Sequence, residues 1–445
     1  MSRRRSFLRA VRHWLTPGLH VKRWLLALVL GTVIMGMGVV FAIVIAFRFG
    51  LIPDWLYGAM MLDFIPLAWR VLLLLLVGGL LITLALVRLG AALVEPFRRP
   101  GDSVAASLYH QSRRSRGPYV VAIGGGTGLP SLLRGLKAFT RNVTAVVTVA
   151  DDGGSSGRLR QELGLLPPGD FRNNIAALSR DEALMTQVLQ YRFGGDVQAN
   201  GRASLRGHAF GNLLLAALAG VTGSFDEGLL AAERVLAISG RVVPSTLEQV
   251  ALVAEVVLGD DAHQQTQRIV GESAITHAGG RIKQIALDPG KASAYPPAVQ
   301  AILQADLIIL GPGSLYTSIM PNLLVPGIAA AVRHTLAPVV YVCNIATQPG
   351  ETDGYSAADH ADALARYVGH DCLDVVVAND NVDLAGTAND QTIPVPLSWP
   401  SDRTDQARLI TADLVDEQHP WRHDSKKLAR VIRRILEGDV GNGRR

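Results

Sequence analysis

Five short apolar runs govern what this chain can fold into: Tyr119–Ile123, Val143–Val149, Ala305–Leu310, Val339–Cys343 and Leu373–Val377. Each is closed by a turn built from Gly, Ser, Asp, Asn or Thr. The runs are too short for core helices and are rich in β-branched residues. They lack polar alternation, as strands buried on both faces do. Helical stretches separate them, beginning with Leu129–Phe139. The pattern predicts an open α/β unit with a mainly parallel sheet covered on both sides. Residues 171–237 read as helical, and Arg241–Pro244, Val250–Leu258 and Arg281–Leu287 as short strands. This region is expected to form an inserted helical and antiparallel element. Residues 400–437 are expected to close the fold, with Lys426–Leu436 as an amphipathic helix whose apolar positions are 428, 431, 432, 435 and 436.

The first 117 residues have another texture. Trp24–Phe47 carries no charge over 24 residues, and Val71–Val87 none over 17. Phe64–Trp69 can lengthen the second run. Two transmembrane helices are predicted, about 24–47 and 65–87, joined near Pro53-Asp54. A cleaved signal peptide fits less well, because the first run is long and a second follows. Arg3, Arg4, Arg5, Arg9, Arg12, Lys22 and Arg23 precede the hairpin, and Arg88, Arg98, Arg99, Arg113, Arg114 and Arg116 follow it. The loop between holds only Arg48 and Arg70. This asymmetry places both termini and the main domain in the cytoplasm, at the inner membrane, with membrane lipid as a partner of the hairpin. Three parts are expected: a basic segment with its hairpin (1–87), a juxtamembrane linker (88–117) and a cytoplasmic domain (118–445).

Charge sharpens that division. Residues 1–117 hold 15 Lys/Arg against 4 Asp/Glu, leaving +11, while 118–445 hold 28 against 34, leaving −6. The overall +5 is therefore no sign of nucleic-acid binding, and none is expected. Cys343 and Cys372 are too few and too far apart for a disulfide scaffold or a cysteine zinc cluster. Self-association is left open by the sequence.

Ligands of open parallel sheets bind outside the carboxyl ends of the strands. The turns there carry the candidate residues. Gly125, Gly126, Thr127 and Gly128 open a helix and can offer backbone N–H groups to phosphate, though neither a G-x-G-x-x-G fingerprint nor a P-loop lysine is present. Asp151 and Asp152, followed by Ser155 and Ser156, can accept sugar hydroxyls or hold a divalent cation; a simple Asx turn is the plainer alternative. Asp170 is a helix cap or a metal or catalytic carboxylate, and Arg172 a phosphate partner or a surface cation. Asn173 follows it. His208 is an acid/base candidate or a structural hydrogen-bonder, and Asn212 a sugar contact. Gly313 and Ser314 form a second phosphate cradle, with Asn344 and Tyr355 at its rim.

Six ordered runs carry a family resemblance: GGGTGL, VADDGGSSGRLR, LPPGDFRNNIAALS, GHAFGNL, GPGSLYTSIMPNLLVPGI and TQPGETDGYSAADH. Over about 118–400 the chain resembles the bacterial gluconeogenesis factors (YvcK-like), relatives of the 2-phospho-L-lactate transferases. The resemblance implies a Rossmann-like, doubly wound fold. It also implies binding of a nucleotide sugar, UDP-N-acetylglucosamine, and a regulatory role in carbon partitioning, cell-wall synthesis and cell shape. Tyr355 matches the aromatic residue that meets the nucleotide sugar. The alternative it implies is a Mg²⁺-dependent phosphotransferase with the metal on Asp152 and Asp170.

Overall fold

The computed structural model describes residues 21–94, 117–194, 205–259, 265–385, 393–400 and 407–438. The chain divides into two compact units, Met1–Ser112 and Arg113–Arg445.

In the first unit, α1 (Val21–Arg48) and α3 (Leu67–Val94) flank the short α2 (Asp54–Met60). Stretches of 19 residues (Leu30–Arg48) and 18 (Leu67–Leu84) are long and apolar enough to cross a bilayer. Leu30, Ile34 and Phe41 of α1 and Leu72, Leu76 and Leu80 of α3 stand exposed. A helix apolar all round needs a protein core or lipid to cover it. The predicted spans are thus present as helices, but α3 runs to Val94, seven residues into the expected linker. Arg88 ends the apolar run without ending the hydrogen-bond ladder, because arginine is a good helix former. Residues 95–116 of that linker and the basic segment 1–20 lie outside the described residues.

The second unit is built on a parallel sheet. Its strands are β1 (Val120–Gly124), β2 (Val143–Val147), β3 (Arg241–Pro244), β7 (Leu307–Leu310), β8 (Val339–Val342), β9 (Val375–Asn379) and β10 (Arg408–Ala412). Their order is β10-β9-β8-β7-β1-β2-β3, and every neighbouring pair is parallel. β1, β7, β8 and β9 are buried along their whole length, as their unbroken apolar character requires. Helices α4 (Leu129–Leu136), α5 (Gly154–Leu163), α6 (Gly169–Leu178), α7 (Glu182–Gln190), α8 (Phe210–Thr222) and α9 (Phe225–Val235) lie between β1 and β3 in the chain. A second sheet, β5-β4-β6, joins β4 (Ala251–Leu258), β5 (Gln265–Val270) and β6 (Arg281–Asp288) antiparallel.

Three expectations need correction. Arg241–Pro244 belongs to the main sheet, pairing Thr144 with Arg241 through Val147 with Pro244, not to the antiparallel insert. The preceding helices act as the crossover that returns the chain parallel to β2, and a four-residue run carries no mark of its partner. The insert gains β5 instead, an edge strand that is exposed almost throughout and so lacks the apolar alternation that marks a half-buried strand. Strand β9 also starts two residues later than its apolar run, at Val375.

The closing element is α14 (Ser425–Leu436), counted after α10 (Glu272–His277), α11 (Pro296–Leu303), α12 (Pro326–His334) and α13 (Ala357–Val368). Asp424 caps it by accepting from Lys426 and Lys427 N–H. Leu428, Val431, Ile432 and Ile435 are buried as its periodicity predicts. It packs on α4 where a Cβ on Gly135 would meet the Ser425 carbonyl and come within 2.8 Å of the Ala429 methyl. Gly135→Val is therefore expected to cost about 2 kcal/mol through overpacking. A lower urea midpoint for residues 113–445 is the readout; an unchanged midpoint would show that the helices separate freely.

Candidate functional site

Strands β2 and β3 lie on one side of β1, and β7 to β10 on the other. The chain reverses direction across the sheet between β1 and β7, which opens a crevice beyond their carboxyl ends. The loops there approach closely: a Cβ on Gly128 would lie 2.6 Å from the Pro312 carbonyl oxygen. Only glycine permits this contact, so the turn after β1 and the turn after β7 form one wall.

A cavity of about 410 Å³ opens on that wall. It is lined by Thr127, Gly128 and Ser131, by Pro312, Gly313 and Ser314, by Asn344 to Pro349, and by Trp421, Arg422 and His423. Its volume suits a small ligand. Gln348 Nε2 donates to Ser314 Oγ (2.7 Å), and Asn344 Nδ2 donates to Gln348 Oε1 (3.1 Å). After Ser314 the chain makes a π-helical turn, Leu315–Ile319, a form frequent at functional sites. His423 is buried against the Cys343 carbonyl, and burial pushes its pKa down to about 4, so the imidazole there is neutral. Arg422 is exposed, and its guanidinium makes no hydrogen bond or ion pair among the described residues.

The remaining predicted residues, Tyr355 excepted, gather in a second, adjoining cluster. Gly126 N–H donates to Asp170 Oδ2 at 2.7 Å, which links the two. A Cβ on Gly125 would meet the same oxygen at 2.5 Å. Asp152 Oδ1 accepts from Ser273 N–H (2.9 Å), and Asp151 Oδ1 accepts from Gly153 N–H (2.9 Å). Ser156 Oγ stands against Gly169. Ser155 Oγ lies 3.1 Å from His208 Nδ1 and accepts from Asn212 Nδ2 (3.0 Å). Asn212 Oδ1 in turn accepts from Arg172 Nη1 (3.0 Å), and Asn173 Oδ1 from Arg172 Nη2 (3.0 Å). His208 is buried, and desolvation, then the Arg158 charge, lowers its pKa. It therefore ties Ser155 in place as a neutral ring.

Carboxylates crowd this cluster. Burial, with the charges of Asp151, Asp170, Asp152 and Glu351, pushes Glu272 well up. Burial also raises Glu351, whose Oε1 accepts from Thr317 Oγ1 (3.0 Å). Desolvation and then Asp151 raise Asp170 to about 7, against the opposing Gly126 N–H and Arg172. Among the described residues no group of three or more His, Cys, Asp or Glu side chains is arranged to hold a metal ion. Asp170 and Asp152 are engaged by different backbone segments, accepting from Gly126 N–H and Ser273 N–H.

Tyr355 is not among the residues lining the cavity. Its hydroxyl lies 2.9 Å from that of Tyr316 and its ring meets His360 edge-on at 5.5 Å between centroids. The aromatic residue at the cavity is Trp421. Sequence reasoning missed Trp421, Arg422 and His423, although an aromatic residue and a cation just before the capped α14 were a usable signal. Glu272, polar at the start of a short helix, gave none.

The profile of the family described as 2-phospho-L-lactate transferase CofD matches residues 120–440. The chain belongs to that family. It is similar to the gluconeogenesis factor of Bacillus subtilis, at 48% identity over 263 residues, 59% of this chain and 78% of that one. A relative from Nostoc sp. is 42% identical over 435 residues, 94% of this chain and 91% of its own. A crystal structure of a Bacillus halodurans protein superimposes with a TM-score of 0.64 at 41% identity, covering 71% of this chain and 99% of that one.

Asp170 makes a pH-dependent contribution. Its folded pKa exceeds its unfolded value, so the folded chain holds the extra proton between about pH 4 and 7 and loses stability as pH rises through that window. Asp170→Asn keeps an acceptor for Gly126. It is expected to match the parent near pH 4 and exceed it by about 2 kcal/mol at pH 8. That is roughly half the full shift, since the side chain keeps some solvent contact. Urea unfolding across pH 4–8 measures this, and a pH-independent difference would contradict it.

Proposed function

We propose that the cavity beyond β1 and β7 binds a nucleotide sugar, UDP-N-acetylglucosamine, and that the protein acts as a regulator. One observation carries this reading: two glycine turns, hydroxyls, an arginine with no ion pair among the described residues and an exposed tryptophan meet around one cavity. Backbone N–H groups near Thr127–Gly128 and Gly313–Ser314, with the Arg422 guanidinium, suit a diphosphate. Trp421 offers a face for the base, and the Asn344 and Gln348 amides offer polar groups to base or sugar. The gluconeogenesis factor name of the similar chains supports a part in carbon partitioning, and the resemblance extends this to cell-wall synthesis and cell shape.

The two apolar helices are read as a hairpin in the inner membrane with the main domain on the cytoplasmic side. Tethering would keep a sugar-nucleotide sensor beside the site where lipid-linked wall precursors form.

Calorimetry of residues 113–445 with UDP-N-acetylglucosamine is expected to show binding. Arg422→Ala should weaken it about tenfold or more, the loss of one charge-assisted contact. Absence of heat at millimolar ligand would reject the reading. For topology, alkaline phosphatase fused after Pro53 is expected to be active, and fused after Arg116 inactive; the reverse would overturn the orientation.

A further inference from the structure

A second set of charges lies outside the lining of the cavity. Residues Leu205–Ala209 form the approach to α8, and two arginines grip this loop through its backbone. Arg158 Nη2 donates to the Arg206 carbonyl (3.1 Å), and Arg192 Nη1 to the Gly207 carbonyl (2.9 Å). Arg192 also bridges backbone-to-backbone with Ala209. Arg206 itself is exposed on the same loop. Behind the loop stands Arg172, 9% exposed, with its guanidinium held by the amide oxygens of Asn212 and Asn173.

None of these four guanidiniums has a carboxylate within ion-pair distance among the described residues. Arg158 and Arg192 each use one N–H on a carbonyl and keep the others. A buried arginine usually has an anionic partner, because desolvating a charge is costly. Here neutral amides orient the fork and leave its charge uncompensated at hydrogen-bond range. The Arg192 charge reaches Arg172 as well, so like charges are gathered instead of dispersed. A bound anion would relieve such repulsion.

The arrangement is small and one-ended. The exposed arginines all belong to or bond one loop, and residues 118–445 carry −6, which disfavours a polymer. On the inner side Asp151 and Asp170 lie within electrostatic reach of Arg172. Carboxylates there repel a second anionic group but accept hydroxyl hydrogens.

We propose that Arg158, Arg172, Arg192 and Arg206 form a second anion subsite, which takes the phosphate of a small phosphorylated polyol with its hydroxyl end toward Asp151 and Asp170. Asp170 joins the subsite to the Gly126 turn beside the nucleotide-sugar cavity, but none of the four arginines lines that cavity.

The test is titration calorimetry of the full chain in detergent with glucose 6-phosphate, inorganic phosphate and glucose as probes. Glucose 6-phosphate is expected to bind, inorganic phosphate more weakly, and glucose not at all. Arg158→Gln and Arg192→Gln are exposed changes, checked by unaltered thermal melting. Each is expected to raise the glucose 6-phosphate Kd about tenfold. UDP-N-acetylglucosamine binding on the same samples should persist in both variants and fall in Arg422→Ala, so the two readings fail separately. No heat with glucose 6-phosphate at about 10 mM, or equal binding in the arginine variants, overturns the subsite. Equal affinity for inorganic phosphate overturns the polyol assignment. An oligonucleotide that binds and is lost in the same variants overturns the small-molecule assignment.

Discussion

Everything functional in the second unit depends on the close approach of two turns across the middle of the parallel sheet. Gly128 lies against the Pro312 carbonyl, where a side chain would not fit. This contact follows from strand order, since β1 and β7 are neighbours while 182 residues of chain separate Gly124 from Leu307. Parallel strands need long crossovers, and those crossovers carry every polar turn to the same edge. The cavity and the carboxylate cluster are both consequences of that edge.

The two clusters differ in how they are held. At the cavity the polar groups are partly exposed and linked by few bonds, as a binding surface needs. In the adjoining cluster Ser155, His208, Asn212 and Arg172 form a continuous buried chain of hydrogen bonds. Such a chain fixes geometry, because leaving any buried member unpaired costs about 1–3 kcal/mol. Charge is treated in a similar way. Asp170 and Glu272 are raised by burial among other acids, and Arg172 lies within electrostatic reach of Asp170 without an ion pair among the described residues. The cluster therefore tolerates electrostatic stress that ordinary core positions avoid, a condition common at ligand sites.

Much of the fold was legible because buried parallel strands and amphipathic helices write their environment into residue type. The Val/Ile runs located β1, β2, β7, β8 and β9, and the spacing of Leu428, Val431, Ile432 and Ile435 located α14. Arg241–Pro244 was misplaced because pairing partner is a non-local property. β5 was invisible because its edge position buries neither face. At the site, Thr127, Gly128, Gly313, Ser314 and Asn344 do share one cavity, while Asp151, Asp152, Ser155, Asp170, Arg172 and Asn212 share the neighbouring cluster. Tyr355 engages Tyr316, and Trp421 stands at the cavity.

By itself the sequence determined the two apolar helices, the parallel α/β class and the polar turns at the strand ends, since hydrophobic pattern and turn chemistry act over a few residues. Only the tertiary structure decided which turns meet. It brought Trp421 and Arg422 from the far end of the chain to the glycine turns, and split one list of candidates into two clusters. It also gathered four arginines around one loop. Those outcomes depend on strand order and helix packing, whose energies come from contacts between residues far apart in the chain.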